Sequence, residues 1–318
     1  ERNMASLYGT AATVYSAGGS TLCIQAMLTI MKQEKRRIIA VRNVHRSFLN
    51  TAALLDLDVE WILPRYTGGI LSGEIEISAV EEKLRSCEES ACLYVTSPDY
   101  TGRLADIKGL SAVCRRYGAR LIVDNAQAFF APPLEGIDTF YSARKFFGVA
   151  DGAYLYTDKL FDIELEQDQS FGRMSHLLIR ADIGAEAGYA DFRKNDDSLC
   201  GEPIKKMSRL TEKILCSIDY ESMKLERRRI YEQLYKQLNQ TNLLSIILDD
   251  MCVPLAYPYL TKDSTLRQKL ITERIYIPMY WPNIGNNIGL ESWLKSNLLS
   301  IPLKSQILSI INSKNHLL

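Results

Sequence analysis

Short, continuously apolar segments alternate with helical patterns over the first half of this chain, up to about residue 157. Several segments, such as 92–96 and 121–124, lack the polar and apolar alternation of a strand that is exposed on one face. Strands buried on both faces are typical of parallel sheets that helices cover on both sides. The alternation therefore predicts an α/β fold with a mostly parallel, doubly wound sheet. The predicted strands are 12–15, 38–42, 59–63, 92–96, 121–124, 139–141 and 153–157.

Two helices between these strands carry end signals. Segment 78–87 begins with Ser78 and has Glu81 three residues later, the pattern of a capping box. Segment 106–117 places its apolar residues on one face and stops before Gly118.

The pattern changes after about residue 205, where two helical segments, 207–218 and 221–238, follow each other. A chain of 318 residues also exceeds the roughly 250–300 residues at which single cores stop growing. We predict a large domain over 1–205 and a smaller α+β domain over 206–318. The first residues read as the middle of a helix, so we expect natural residues upstream. Later patterns predict strands at 244–248, 252–257 and 275–278 and a helix at 304–311.

The composition argues against several classes of function. Lys and Arg together number 38, and Asp and Glu together also number 38, so the formal net charge is zero. A neutral chain gives no electrostatic reason to expect binding to nucleic acid or to an acidic membrane. No apolar run approaches the ~18–20 residues of a membrane-spanning helix. Seven cysteines without a C-x-x-C pair favour reduced thiols and a cytoplasmic protein. The three histidines show no metal-ligand spacing, so we expect no metal.

Two polar segments follow the first two strands. Segment 17–21 (Ala-Gly-Gly-Ser-Thr) opens an apolar helix, where glycines and free N–H groups favour phosphate, although a plain turn with a cap would look the same. Segment 42–47 contains His45, whose ring could stack on an aromatic cofactor or make only local hydrogen bonds.

Two charged residues follow later strands. Asp124 ends an apolar strand, where a buried carboxylate needs a partner such as the protonated ring nitrogen of pyridoxal phosphate (PLP). Its alternative role is a helix cap. Lys145 lies 21 residues later among aromatic neighbours, where desolvation would lower its pKa and make its amine nucleophilic. A surface lysine is the alternative, but strand ends of such sheets bind ligands.

These segments resemble known families. The first half resembles the large domain of the ornithine/lysine/arginine decarboxylases, whose motifs follow in the same order. They stand here as 45–47 (His-Arg-Ser), 96–102 (Thr-Ser-Pro-Asp-Tyr-Thr-Gly), 123–127 (Val-Asp-Asn-Ala-Gln) and 142–145 (Ser-Ala-Arg-Lys). From Asp124 onward the chain more closely resembles the DegT-type nucleotide-sugar aminotransferases. That resemblance rests on 124–127, 142–145, 280–282 (Tyr-Trp-Pro) and 299–302 (Leu-Ser-Ile-Pro).

Both families are fold type I PLP enzymes, and the resemblance implies roles for single residues. Lys145 would carry PLP as an internal aldimine and then move a proton. Asp124 would pair with the pyridine nitrogen, and Gln127 would lie near the ring's phenolate oxygen. His45 would stack on the ring. The phosphate would be held by Gly19, Ser20, Thr21 and Ser142. The large domain would be the PLP-binding domain, and the enzyme a homodimer.

Departures from these patterns order the functional hypotheses. Arg144 and Gln127 replace two histidines of the decarboxylase motifs, and 184–189 departs from the Gly-x-Asn-x-Arg-like segment of the aminotransferases. The leading hypothesis is an aminotransferase with a small-molecule amino donor and keto acceptor, the latter a candidate nucleotide sugar. The alternatives are decarboxylation of a basic amino acid and a non-catalytic binding protein. The basic run 227–229 could face a phosphorylated substrate or be a solvated helix face.

Overall fold

The computed structural model describes residues 12–16, 18–63, 66–67, 70–71, 75–159, 164–199, 202–244, 248, 252–281 and 289–313. The chain forms two compact units. The first comprises Glu1–Leu63, Ile75–Ser97 and Ala105–Ile218, and the second comprises Pro64–Glu74, Pro98–Leu104 and Asp219–Leu318. The units part at residues 218 and 219, and two short stretches of the first half belong to the second unit. The domain boundary at 205 and 206 stays a prediction.

A seven-stranded sheet forms the centre of the first unit, in the order β1-β9-β8-β7-β6-β2-β3. Strands β2, β3, β6, β7 and β8 are parallel, whereas β9 is antiparallel to both of its neighbours. The predicted α/β class and mostly parallel sheet are confirmed, and each predicted strand is present with ends that differ by one residue at most. The strands are β1 (Ala12–Ser16), β2 (Arg37–Val41), β3 (Val59–Ile62), β6 (Ala91–Thr96), β7 (Arg120–Asp124), β8 (Asp138–Ser142) and β9 (Ala153–Thr157).

Helices cover both faces of this sheet, as the doubly wound prediction requires. On one face α1 and α2 pack against alternate strand residues such as Ile38, Tyr94 and Ile122. On the other face α3 and α4 pack against the intervening residues, such as Ile39 and Val123. The described helices of this unit are α1 (Gly19–Gln33), α2 (Arg46–Leu54), α3 (Ile77–Arg85), α4 (Ile107–Arg116), α5 (Ala143–Phe146), α6 (Ser175–Asp182), α7 (Tyr189–Ser198) and α8 (Arg209–Cys216), with a 3-10 turn at Phe171–Arg173.

One predicted helix start is correct and the other is wrong. The Asp106 side chain caps α4 by accepting a hydrogen bond from the N–H of Gly109 at 2.9 Å. The expected capping box at Ser78 is not formed, because α3 begins at Ile77 with Glu76 as N-cap. Ile77 packs with the core cluster of this face, which favours the earlier start.

The second unit is a small α+β structure. Its core surrounds α9 and the antiparallel pair β10 and β11, and buried residues of α10 and α12 complete it. The predicted helices at 221–238 and 304–311 are confirmed. The described elements are α9 (Tyr220–Leu238), α10 (Leu266–Thr272), α11 (Gly289–Asn297), α12 (Ser305–Ser313), β10 (Ala256–Leu260), β11 (Leu298–Pro302) and the short pair β4 (Tyr66–Thr67) and β5 (Ile70–Leu71).

Three predicted strands of this unit have different outcomes. The strand expected at 252–257 forms later, as β10. Segment 275–278 is not a strand, although Ile275 and Ile277 are buried. The guanidinium of Arg267 donates to the carbonyls of Ile277 and Pro278, so these groups bond to a side chain rather than to a strand. Most of 244–248 lies outside the described residues.

Candidate active site

The carboxyl ends of three neighbouring strands bring polar residues to one edge of the sheet. Thr96 ends β6, Asp124 ends β7 and Ser142 ends β8. Thr96 pairs directly with Asp124 across the two parallel strands. All three residues are buried, so their polar atoms depend on partners within the protein or on a ligand.

Asp124 is a buried carboxylate with two hydrogen-bond donors. Its Oδ1 accepts from the N–H of Ala126 at 2.9 Å, and its Oδ2 accepts from the hydroxyl of Tyr94 at 2.9 Å. Burial raises the pKa of Asp124, and the charge of Lys145 opposes that rise. The residues after Asp124 form turns, so the role of a helix cap does not apply. The carboxylate can accept a further hydrogen bond from a cationic ligand.

Lys145 lies on α5, a four-residue helix that follows β8 directly. Its side chain reaches solvent, yet the protein around it is dense enough that desolvation lowers the pKa of its ammonium group. The charge of Asp124 opposes this shift. At a given pH, a lysine with a lowered pKa is uncharged in a larger fraction of the molecules, and the uncharged amine is the nucleophilic form.

Four residues cannot form a stable helix by themselves, so contacts with later segments hold α5 in place. Asn195 on α7 donates its Nδ2 to the carbonyl of Ala150 at 2.9 Å. Buried Asp151 accepts from the N–H of Ser208 at 2.7 Å. These bonds fix the loop that immediately follows α5.

His45 is the N-cap of α2, and its ring is uncharged. Its Nδ1 accepts from the N–H of Ser47 at 3.1 Å. Burial and then the charges of Lys145 and Arg46 lower the pKa of His45 to about 3. Because Nδ1 accepts, the ring proton belongs on Nε2. The Ser47 hydroxyl also lies 2.7 Å from Nδ1 and 3.0 Å from the Thr21 hydroxyl, which connects the histidine to the start of α1.

The N-terminus of α1 is arranged as an anion site. Its N-cap is Gly18, and no side chain caps the first turn. Gly19 has φ +64°, a conformation that favours glycine, and a Cβ placed there would lie 3.7 Å from Cδ of Arg144 and 3.9 Å from its Nη1. Free amides, the helix dipole and a nearby guanidinium favour a phosphate group. Ser20 is half-buried and Thr21 is exposed at this turn.

Buried polar atoms without partners mark the same edge. Gln127 is 8% exposed, and its Nε2 has no hydrogen-bond partner in the protein; nor does Oγ1 of Thr96, which is 4% exposed. Such atoms point to a missing ligand. PLP would supply an acceptor oxygen, a cationic ring nitrogen, a phosphate and an aldehyde, so the residues present fit this cofactor.

The structure places the predicted residues as follows. Lys145 lies close enough to Asp124 and to His45 for its charge to act on the pKa of each, and Gly19 lies beside Arg144. The roles of these residues, and of Ser20, Thr21, Gln127 and Ser142, stay predictions. The sequence reasoning missed Tyr94, although a tyrosine inside an apolar strand was a usable signal.

The basic run 227–229 is not arranged for a phosphorylated substrate. Arg227 donates to the carbonyl of Pro254 at 3.0 Å, and Arg228 donates to that of Cys252 at 2.7 Å. Arg229 pairs with Glu226 on the exposed side of α9 at 2.7 Å. The first two arginines therefore have a structural role, and only the third matches the solvated-face alternative.

The part of the chain that the structure describes offers neither a metal cluster nor a membrane-spanning helix. No group of three or more His, Cys, Asp or Glu side chains there is placed to hold a metal ion. Across the same ranges, no helix has both the length and the apolar character needed to cross a membrane.

Comparisons with known proteins by sequence match part of the chain. The sequence model of the family described as O-phosphoseryl-tRNA(Sec) selenium transferase, SepSecS, matches residues 8–135. An arginine decarboxylase of Halalkalibacterium halodurans is 29% identical over 124 residues, which are 38% of this chain and 25% of that protein. The chain thus aligns with about 25% of the length of the curated relatives it matches.

Comparisons by structure cover nearly the whole chain. A candidate sugar aminotransferase, Spr1654 of Streptococcus pneumoniae, in its PLP form has a TM-score of 0.64 and 13% identity, covering 99% of this chain and 88% of that chain. A DegT DnrJ EryC1 StrS aminotransferase of Brucella abortus has a TM-score of 0.57 and 12% identity, covering 99% and 89%. At such low identity these likenesses speak for the fold. The chain therefore has the fold of these solved aminotransferase structures, and the predicted fold type I architecture is confirmed.

Proposed function

We propose that this protein is a PLP-dependent aminotransferase in which Lys145 holds the cofactor covalently. The observation that carries the proposal is that Lys145 and buried Asp124 follow neighbouring strands at one sheet edge, close enough for the charge of each to act on the pKa of the other. Perturbed titratable groups of this kind concentrate at functional sites. The fold shared with solved aminotransferases supports the same conclusion.

The chemistry divides between cofactor and protein. When bound, PLP supplies an electrophilic aldehyde carbon and a ring that withdraws electrons from the reacting centre. Lys145 supplies the amine that attaches the cofactor, and its uncharged Nζ then accepts and returns a proton. Asp124 holds the ring nitrogen in its protonated form. Neutral His45 offers a flat ring for stacking, and the Nε2 donor of Gln127 can bond to the ring oxygen. The phosphate would be held by Gly19, Ser20, Thr21 and Ser142, with Arg144 close by.

The substrates we propose are a small-molecule amino donor and a keto acceptor. The likeness to the candidate sugar aminotransferase of Streptococcus pneumoniae supports a nucleotide sugar as the acceptor. We also propose that the enzyme works as a homodimer in the cytoplasm. The six cysteines in the described part of the chain are not joined to one another by disulfides, which fits a reducing compartment.

The first test is the visible spectrum of the purified protein with added PLP, recorded for the wild type, Lys145→Ala and Lys108→Ala. We expect a bound-cofactor band in the wild type and in Lys108→Ala, an exposed control on α4. Lys145→Ala should lose covalent attachment and at least about 10²-fold of the amino-transfer rate, the scale of general acid–base catalysis. A band unchanged by Lys145→Ala, or no transfer from any amino donor in the wild type, would contradict the proposal.

A second candidate function is decarboxylation of a basic amino acid. The match to the Halalkalibacterium halodurans arginine decarboxylase favours it, and His45, Arg46 and Ser47 resemble one of the decarboxylase motifs. Incubation of the PLP-loaded protein with lysine, ornithine and arginine distinguishes the two. Release of carbon dioxide supports decarboxylation, whereas conversion of the cofactor to its amine form by a donor such as glutamate supports transamination.

A further inference from the structure

Tyr94 and Asp124 are diagonal neighbours on adjacent parallel strands. Tyr94 on β6 pairs with Ile122 on β7, and Asp124 stands two residues further along β7. Because side chains alternate along a strand, Ile122 and Asp124 point to the same face of the sheet. The Tyr94 hydroxyl reaches Oδ2 of Asp124 at 2.9 Å, so the contact follows from strand register.

The Tyr94 ring is held firmly by its neighbours. Its side chain is fully buried, and its ring centroid lies 4.5 Å from that of Phe48 and 6.3 Å from that of Phe140. Close packing leaves the ring little room to swing away from Asp124. An ionised carboxylate can only accept, so the hydroxyl donates to it.

Other groups also act on Asp124. Lys145 on α5 acts through its charge, and the Ala126 N–H donates to Oδ1. Cys23 on α1 also lies near; burial raises the pKa of its thiol to about 12, so it stays uncharged. Lys145 carries no charge when its amine is deprotonated. Among the described residues, the Ala126 amide and the Tyr94 hydroxyl then still donate to an ionised Asp124.

We infer that Tyr94 is a positioning residue whose hydroxyl keeps Asp124 ionised and fixes the orientation of its carboxylate. This role rests on the proposed function: in the PLP-bound enzyme, the bond from Tyr94 keeps the shared proton on the ring nitrogen rather than on Asp124. Removal of the Tyr94 hydroxyl makes Asp124 more basic, so the shared proton moves from the ring nitrogen toward the carboxylate. The ring then withdraws electrons less strongly from the reacting centre.

The decisive variant is Tyr94→Phe, which removes a single oxygen. Its matched control is Tyr257→Phe in the second unit, where an equally buried tyrosine accepts a hydrogen bond from Asn242 at 3.3 Å. In the cofactor-free protein the Asp124 carboxyl carbon is followed by ¹³C NMR titration and assigned with Asp124→Asn. A hydrogen bond to a charged group is worth enough that its loss should raise the pKa of Asp124 by about one to two pH units. An unchanged titration in Tyr94→Phe overturns the inference.

A second measurement uses PLP labelled with ¹⁵N at the ring nitrogen. The bound wild type and Tyr257→Phe should show a protonated nitrogen, and Tyr94→Phe should shift toward the unprotonated resonance. Amino transfer in Tyr94→Phe should lose kcat with little change in KM. A wild type that binds no PLP contradicts the proposed function but leaves the cofactor-free titration to decide the role of Tyr94. A nitrogen resonance identical in Tyr94→Phe and wild type overturns the inference.

If Tyr94→Phe does not fold, the wild type alone decides. Tyrosine labelled with ¹³C at Cζ reports on the hydroxyl, and the Tyr94 resonance should follow the titration of Asp124. A Tyr94 resonance that stays constant while Asp124 titrates would overturn the inference.

Discussion

Buried carboxylates lie at both ends of the strand pair β7 and β8, Asp138 at the amino end and Asp124 at the carboxyl end, and the two ends are built differently. At the amino end, Arg120 donates to Asp138 at 2.7 Å, and the Thr157 hydroxyl donates to the same carboxylate at 2.5 Å. Arg120 also pairs with Asp158. At the carboxyl end, Asp124 accepts two uncharged donors and feels Lys145 through its charge.

The difference indicates that the charged residues at the amino end stabilise the fold, whereas those at the carboxyl end are available for the proposed reaction. The amino-end cluster is closed, because the guanidinium neutralises a carboxylate that is 1% exposed and hydrogen bonds saturate it. Burial raises the pKa of both Asp124 and Asp138, but Asp138 bonds directly to a cation. The carboxyl-end cluster is open, since the two hydrogen-bond donors described for Asp124 are uncharged, and nearby Gln127 and Thr96 have unpaired atoms. We therefore expect removal of charge at the amino end to cost stability, and removal of charge at the carboxyl end to cost chemistry.

The largest effect on stability should come from Asp138→Asn. This change leaves half-buried Arg120 without its main partner, which should lower the free energy of unfolding by about 3 kcal/mol. The matched change Asp124→Asn should alter it by less than about 1 kcal/mol, because the two donors to Asp124 are uncharged and can also bond to an amide oxygen. Urea unfolding of the cofactor-free proteins measures both.

Asp158→Asn is the control for that comparison. Asp158 pairs with the same Arg120 but is 54% exposed, so its loss should cost less than about 1 kcal/mol. Equal losses for Asp138→Asn and Asp124→Asn would show that the two ends do not differ as described.

A smaller effect concerns pH and His45. The pKa of His45 is about 3 in the folded protein, below the ~6.5 of an exposed histidine, so the unfolded chain binds more protons between these values. Stability therefore rises with pH through this window, and the contribution is lost as pH falls. Against His45→Gln, the wild type should gain about 2 kcal/mol between pH 4 and 6.5, allowing for the partial solvent access of the ring. Parallel stability curves for the two proteins would contradict the assigned burial.

The smallest effect should come from Glu226→Gln on the surface of α9. Glu226 and Arg229 are both 48% exposed, and solvent screens such surface pairs so strongly that they contribute little to stability. Denaturant midpoints should hardly move. A loss near that of Asp138→Asn would mean that pairing alone, rather than burial of the pair, makes the amino end stable.

The strand pattern was readable from sequence because burial on both faces leaves long apolar runs. Segments 92–96 and 121–124 needed only local information, and their ends carry the site residues. The second unit was harder, because 275–278 shows a strand-like burial pattern while its carbonyls bond to the Arg267 side chain. Such a bond depends on a side chain about ten residues earlier, so the segment itself carries no signal of it.

Candidate site residues at strand ends were predictable for the same reason. Asp124 and Lys145 stand out as charges beside apolar segments. The contact between Tyr94 and Asp124 was not predictable, since it depends on the register between β6 and β7. The approach of Arg144 to Gly19 likewise requires knowledge of where α1 begins in space.

The short helix α5 depends on residues much later in the chain, so the site could not be moved to another protein as a short segment. The sequence motifs of the proposed PLP site end near Lys145. From the motifs alone, one would expect the chain up to that residue to be enough to build the site. Yet Asn195 and Ser208, far downstream, hold Ala150 and Asp151 and thereby the loop beside the lysine. A shortened chain that kept every motif but lost Asn195 and Ser208 would still contain Lys145. It would lack the two hydrogen bonds that fix the loop beside that lysine.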